Sequence, residues 1–76
     1  MQNHNKAFGA ALRELRTERN RTQEQLAFEA GVDRTYVSLL ELGHCSPTLD
    51  TIMSLCKALG ISFVELAFRC DSHLST

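Results

Sequence analysis

The sequence has no apolar run that approaches the roughly 20 residues a membrane-spanning helix requires. Residues 1–6 are polar, so they do not provide the apolar stretch of a secretory signal peptide. Its 76 residues leave no room for a second domain of ordinary size. We therefore expect a soluble, cytoplasmic protein with one domain over residues 1–76, of which about residues 6–70 form the ordered core.

Cysteine is scarce, and its spacing excludes two common uses. The three residues Cys45, Cys56 and Cys70 are an odd number, so a full set of intrachain disulfides is impossible, and no C-x-x-C pair is present to bind zinc. Free thiols are typical of a reducing compartment. Because Cys70 lies near the end of the sequence, a disulfide between two subunits stays open as an alternative.

The sequence also lacks the residue sets that carry catalysis. It contains no convincing nucleophile–base pair, no set of metal ligands and no glycine-rich phosphate loop. We therefore expect no enzyme activity, no cofactor and no metal. No segment forms a separate sensor domain, so we expect no small-molecule ligand and no membrane partner.

An excess of positive charge is missing as well. Eight Lys and Arg side chains stand against nine Asp and Glu, whereas a nucleic-acid-binding domain commonly carries a basic face. Residues 1–40 hold six basic and five acidic side chains, and residues 41–76 hold two basic and four acidic. Charge by itself therefore does not indicate a nucleic-acid partner.

The apolar residues recur at helical spacing, and no strand-like alternation is visible. One stripe predicts a first helix over about residues 6–19. Thr22 and Gln25 have the spacing of a capping box, which predicts the start of a second helix. Gly31 ends that helix, because glycine accepts the left-handed conformation common at helix C-termini.

Three further helices follow from the same signals. Asp33 is a good N-cap for a third helix over about residues 34–42. Thr48 caps a fourth helix that runs to residue 59. Ser62 begins a short fifth helix through about residue 68, with Glu65 completing a second capping box. We expect residues 71–76 to be frayed, and the whole to be a compact all-α domain of five helices.

The joint between the second and third helices carries the main functional signal. Ala27 is small where the third helix crosses the second, and Gly31 permits positive φ in the turn. Val37 and Leu40 are apolar where the third helix packs on the second. This spacing is typical of a helix-turn-helix, although a generic helical hairpin also uses a glycine turn.

Longer segments resemble the phage-repressor-like helix-turn-helix family, also called the Cro or XRE type. The matching segments are residues 12–16, 22–27, 31–32, 36–38, 41–43, 46–52 and 58–61. The resemblance covers roughly residues 7–68, and residues 33–38 also resemble the controller proteins of restriction–modification systems. It implies a lambda-repressor-like DNA-binding domain and a transcription regulator, such as a repressor.

The resemblance implies DNA contacts by the second and third helices, by the loop before the fourth helix and by the start of that helix. The implied positions are Gln23, Arg34, Thr35, Tyr36, Ser38, Leu39, His44, Ser46 and Thr48. Arg34, Thr35, Ser38 and Leu39 match positions that enter the major groove, and Gln23 matches one that contacts phosphate and braces the recognition helix. The loop carries only His44 as a basic residue, so we expect a shallow salt dependence of DNA binding.

The chemistry of these side chains fits that role, and alternatives remain for some. Arg34 can donate two hydrogen bonds to guanine O6 and N7, or it can form an ion pair with Glu24 or Asp33. Leu39 can touch a thymine methyl, or it can be a semi-buried or solvated leucine. The Tyr36 ring can reach the DNA backbone, or it can be half-buried with its hydroxyl in water.

The resemblance also implies a structural ion pair and a dimer. Arg16 and Glu41 match a family pair that joins the first helix to the end of the third. The expected dimer interface is part of the fourth helix together with the apolar set Ile61, Phe63, Val64, Leu66, Ala67 and Phe68. We expect a homodimer on palindromic duplex DNA, with helix 34–42 in the major groove. The alternative is an antitoxin-like or protein-interaction module in which DNA binding is secondary.

Overall fold

In the computed structural model, which describes residues 3–74, the chain forms five helices and no strand within that range. They are α1 His4–Glu18, α2 Gln23–Ala30, α3 Arg34–Leu42, α4 Leu49–Leu59 and α5 Phe63–Leu74. α1 packs against α3 and α5, and α2 packs against α3 and α4. The prediction of an all-α architecture is confirmed.

Local capping sets where the first helices begin and end. Asn3 accepts a hydrogen bond from the Lys6 N–H at 3.0 Å, so α1 starts two residues before the predicted position. Thr22 and Gln25 form both hydrogen bonds of the capping box, at 3.0 and 2.8 Å. Gly31 adopts φ 74°, the left-handed conformation predicted for the end of α2.

The start of α3 differs from the expectation in one respect. Asp33 occupies the N-cap position, and its carbonyl accepts hydrogen bonds from the N–H groups of Tyr36 and Val37. Its carboxylate, however, makes no capping hydrogen bond to the α3 backbone. The start of α3 is therefore held by backbone contacts, and the predicted capping role of the Asp33 side chain is wrong.

α5 is longer than predicted, because tertiary contacts extend it to Leu74. At its start, the Ser62 hydroxyl accepts from the Glu65 N–H at 3.0 Å. Within residues 3–74, however, the Glu65 carboxylate contacts Arg19 and accepts no hydrogen bond from the Ser62 N–H, so only half of the predicted capping box forms. Near the other end, Arg69 contacts Glu18 at 2.6 Å and Glu14 at 3.3 Å across the interface with α1. The expectation of fraying from residue 71 is thus wrong for residues 71–74, and residues 75–76 lie outside the described part.

The core is built from side chains of all five helices. Its fully buried side chains are Leu12, Leu15, Leu26, Val37, Leu40, Leu55 and Leu66. No single helix among residues 3–74 is long and apolar enough to cross a membrane. α4 and α5 together have the required length and composition, but they are bent by 106° at their joint.

α1 approaches α3 unusually closely at Gly9. A Cβ atom built there would lie 2.3 Å from the Leu40 carbonyl oxygen and 2.6 Å from that of Glu41. Real Cβ atoms do not come this close to backbone oxygen, so only glycine allows α1 to support the last turn of α3 in this position. The sequence prediction did not single out Gly9, because its importance arises from a neighbour more than 30 residues away.

The Gly9→Ala substitution is expected to lower the free energy of unfolding by about 1–3 kcal/mol, because the added methyl forces α1 away from α3. Thermal unfolding followed by circular dichroism would measure this effect. The sign of the change distinguishes a close approach from open space, because Gly→Ala in an open helix interior raises the free energy of unfolding by about 0.5–1 kcal/mol. An unchanged or raised melting temperature would contradict the close approach.

Candidate nucleic-acid interface

α3 has one face in the core and one in solvent. Val37 and Leu40 are fully buried, which orients the helix on α2 and α1. Arg34 and Thr35 are exposed on the other side, Ser38 is half-buried, and Leu39 keeps 38% of its surface. The side chains expected to enter the major groove are thus presented together along one helix.

Arg34 is free to meet a ligand. Among residues 3–74, its side chain forms no ion pair or hydrogen bond, so the alternative pairing with Glu24 or Asp33 does not occur. A guanidinium presents its donors in a fixed planar fork, which matches the two acceptors on a guanine edge. Its position in the first turn of α3 suits base readout by a recognition helix.

A buried polar network holds the end of α3 to α1 and α2. Arg16 Nε donates to Glu41 Oε2 at 2.6 Å, and its Nη2 donates to Oε1 at 3.0 Å. Arg16 Nη1 also donates to the Arg21 carbonyl at 2.7 Å. Gln23 Nε2 donates to Glu41 Oε1 at 2.9 Å. The two ionic side chains keep only 11% and 4% of their surface, so α3 is anchored by a desolvated network.

The loop between α3 and α4 is exposed, but its side chains also serve the fold. Ser46 Oγ donates to Asn5 Oδ1 at 2.9 Å, which fastens the loop to α1. Thr48 Oγ1 accepts from the Thr51 N–H at 3.1 Å and so caps α4. His44 is exposed beside them. The Tyr36 ring is half-buried against the core, which matches the alternative of a half-buried ring rather than a fully exposed one.

Ion pairing explains how a weakly acidic chain keeps some cations available. Arg19, Arg21 and Arg69 pair with glutamates on other parts of the surface. Hydrogen bonds from His73 and Arg69 lower the pKa of the Glu14 carboxyl. Within residues 3–74, the lysines and arginines without an ion pair are Lys6, Arg13, Arg34 and Lys57.

α5 separates the expected dimer residues into two groups. Ile61 and Leu66 keep only 9% and 2% of their surface and lie in the protomer core, so the expectation that they form an intersubunit surface is wrong. Leu66 is buried because α5 is amphipathic, and one stripe of its apolar residues must cover its own core. Ile61 lies in the joint before α5 and packs in the same core. Phe63, Val64 and Phe68 are exposed by 45%, 75% and 73%.

α4 also carries exposed apolar side chains. Leu49 and Met53 keep 63% and 46% of their surface, on the helix that the sequence also expected to contribute to the dimer interface. Ile52 of α4, with Phe63 and Ala67 of α5, lines a shallow apolar groove of about 240 Å³. We call Leu49, Met53, Phe63, Val64, Ala67 and Phe68 the α4–α5 apolar surface.

Comparison with known proteins gives the family. The helix-turn-helix family matches residues 12–66. The chain belongs to the helix-turn-helix family. Both the resemblance to Cro/XRE-type regulators and the resemblance to restriction–modification controllers are therefore confirmed.

Individual relatives agree in length and fold. The chain is 44% identical over 60 residues to the control protein C.BamHI of Bacillus amyloliquefaciens, covering 78% of this chain and 74% of the relative. It is 45% identical to the controller C.AhdI of Aeromonas hydrophila, with a TM-score of 0.80, over 82% of this chain and 94% of that one. The controller C.Esp1396I, solved as a tetramer on its natural 35-base-pair operator, shares the fold with a TM-score of 0.90 at 24% identity over the whole of both chains.

Proposed function

We propose that this protein is a sequence-specific DNA-binding transcription regulator. It binds a two-fold symmetric operator as a homodimer, with α3 in the major groove. The observation that carries the proposal is the exposed face of α3, where an unpaired Arg34 stands on a helix anchored by the buried Arg16–Glu41–Gln23 network. The protein acts in the cytoplasm by binding and not by catalysis.

Two features support a dimer. A single recognition helix covers only a few base pairs, so regulators of this kind bind two half-sites about one DNA turn apart. The α4–α5 apolar surface offers a second protomer a place to bind, because exposed apolar patches of this kind mark interaction sites. C.Esp1396I assembles as an oligomer on its operator, which agrees with the same arrangement here.

Selection of bound duplexes from a random library, at physiological salt and with the purified protein, tests the proposal. We expect a two-fold symmetric motif with half-sites separated by about 10–10.5 base pairs. Recovery of no motif from protein shown to be folded by circular dichroism would contradict the proposal. The antitoxin-like or protein-interaction role would then be favoured.

The Arg34→Ala variant is expected to bind the selected operator about 5- to 150-fold more weakly per half-site, which corresponds to about 1–3 kcal/mol. Because Arg34 would read a guanine, preference should be lost at one base position of each half-site. Repeating the selection with the variant measures this change. Arg13→Ala removes another unpaired, exposed arginine and is the matched control. A uniform loss across all sequences would assign Arg34 to phosphate.

A further inference from the structure

The first turn of α1 lies directly against the loop between α3 and α4. Ser46 Oγ donates to Asn5 Oδ1 at 2.9 Å. A Cβ atom built on Gly43 would lie 2.8 Å from Lys6 Cα and 3.0 Å from Lys6 Cγ, so the Lys6 stem covers that glycine. We call Asn5, Lys6, Gly43, His44 and Ser46 the α1–loop corner.

Lys6 brings an uncompensated positive charge to this corner. Its side chain is exposed, and among residues 3–74 it forms no ion pair. Glu14 and Glu41 line the same open groove of about 660 Å³ as Lys6. Both carboxylates are already paired, Glu41 with Arg16 and Glu14 with Arg69 and His73. Neither of the two carboxylates that line this groove therefore forms an ion pair with Lys6.

The loop itself has little charge to offer a polyanion. Residues 43–48 contain His44 as their only basic residue. Ser46 is held by Asn5, and the Thr48 hydroxyl caps α4. A basic side chain from another helix, placed beside the loop, would supply the positive charge that the loop lacks. Lys6 of α1 lies beside the loop, against Gly43.

We propose that Lys6 is a DNA-phosphate contact, which supplies from α1 the positive charge missing from the α3–α4 loop. This inference rests on the proposed function, because it requires the loop to approach a DNA strand. It adds α1 to the interface, whereas the sequence assigned DNA contacts only to α2, α3, the α3–α4 loop and the start of α4. A lysine in this role holds the duplex without reading its sequence.

The Lys6→Met variant tests the proposal, since methionine keeps an unbranched stem over Gly43 and removes the charge. Lys57→Met is the matched control, because Lys57 is also exposed and unpaired but lies roughly 14 Å along α4 from Thr48. Affinity is measured by fluorescence anisotropy at several salt concentrations, on the selected operator and on a scrambled duplex. Circular dichroism melting checks that each variant is folded.

We expect Lys6→Met to reduce the slope of log affinity against log salt by about 0.9 per protomer, and so by about 1.8 for a dimer. Affinity at 0.1 M salt should fall roughly tenfold or more, equally on both duplexes. Lys6→Arg should restore the slope, and Lys57→Met should leave it unchanged. If methionine disturbs folding, Lys6→Gln gives the same comparison.

Equal slopes for Lys6→Met and Lys57→Met would overturn the inference while leaving the proposed function intact. A loss confined to the operator would also overturn it, because that result would make Lys6 a base-reading residue. Failure of the unaltered protein to bind any duplex would instead refute the proposed function, and the phosphate contact with it.

Discussion

The Glu41→Ala substitution is expected to lower the free energy of unfolding by about 3–5 kcal/mol, the usual cost of removing one partner from a buried ion pair. Arg16 would keep its charge in a site where only 11% of its side chain reaches solvent. Gln23 would lose the acceptor of its amide hydrogen bond as well. Urea unfolding at neutral pH measures the loss.

This effect is a large share of the stability of so small a domain. Folded domains are stable by about 5–15 kcal/mol, and chains of this length lie toward the lower end. We therefore expect Glu41→Ala to be partly unfolded at moderate temperature. Where it is folded, its DNA affinity should still be reduced, because the last turn of α3 has lost its anchor to α1 and α2.

Glu65→Ala is the matched control for this prediction. Glu65 also pairs with an arginine of the α1 end, Arg19, but at 3.4 Å and with side chains exposed by 30% and 45%. Exposed pairs of this kind contribute about 0–1 kcal/mol, because solvent screens them. Equal losses for the two variants would show that the Arg16–Glu41 network is no more than a surface ion pair.

The Phe68→Asp substitution is expected to separate the dimer into monomers. Phe68 keeps 73% of its surface in the protomer, so aspartate should not disturb the fold of the isolated chain. A buried aromatic residue at the centre of an interface commonly contributes about 2 kcal/mol or more, and an unpaired charge there adds a desolvation cost. Sedimentation velocity at micromolar concentration would show the monomer.

DNA binding should fall with dimerisation, because each monomer then holds one half-site alone. We expect operator affinity to fall by about 30-fold or more, because a loss of about 2 kcal/mol at the dimer interface corresponds to that factor. Phe28→Asp is the control, since Phe28 is exposed by 86% on α2, a helix that contributes no residue to the α4–α5 apolar surface. If the Phe68→Asp protein remains dimeric, the dimer interface does not depend on Phe68 and lies elsewhere on the surface.

The state of the Cys70 thiol disfavours a disulfide between two subunits. Burial raises the pKa of the Cys70 thiol, which lowers the fraction present as the reactive thiolate at neutral pH. Cys56 is buried in the core, as its small apolar character predicts. The same sedimentation measurement under reducing and non-reducing conditions distinguishes a Cys70 disulfide from the proposed apolar contact.

Helix starts and ends were accessible from the sequence, because capping depends on residues three or four positions apart. Thr22 and Gln25 form their capping box, and Gly31 takes the left-handed conformation at the end of α2. Gly60 ends α4 in the same way. The helix-turn-helix spacing was visible for a similar reason, since its parts lie within about 15 residues of one another.

Features that depend on distant parts of the chain required the tertiary structure. α5 extends past its predicted end because Arg69 meets Glu14 and Glu18, which lie about 50 positions earlier. Only the packing shows that Leu66 faces the core while Val64 and Phe68 face solvent, since all three are apolar in sequence.

The sequence by itself determined the helical elements and the helix-turn-helix, because local periodicity and capping encode them. The tertiary structure alone decided which charges remain available. Arg16 forms an ion pair with the buried Glu41 carboxylate, 25 residues away in the sequence. Arg34 forms no ion pair within residues 3–74, and Lys6 packs against the α3–α4 loop. Whether a charged side chain is paired depends on which surfaces meet in the folded chain, and a local sequence pattern does not encode those contacts.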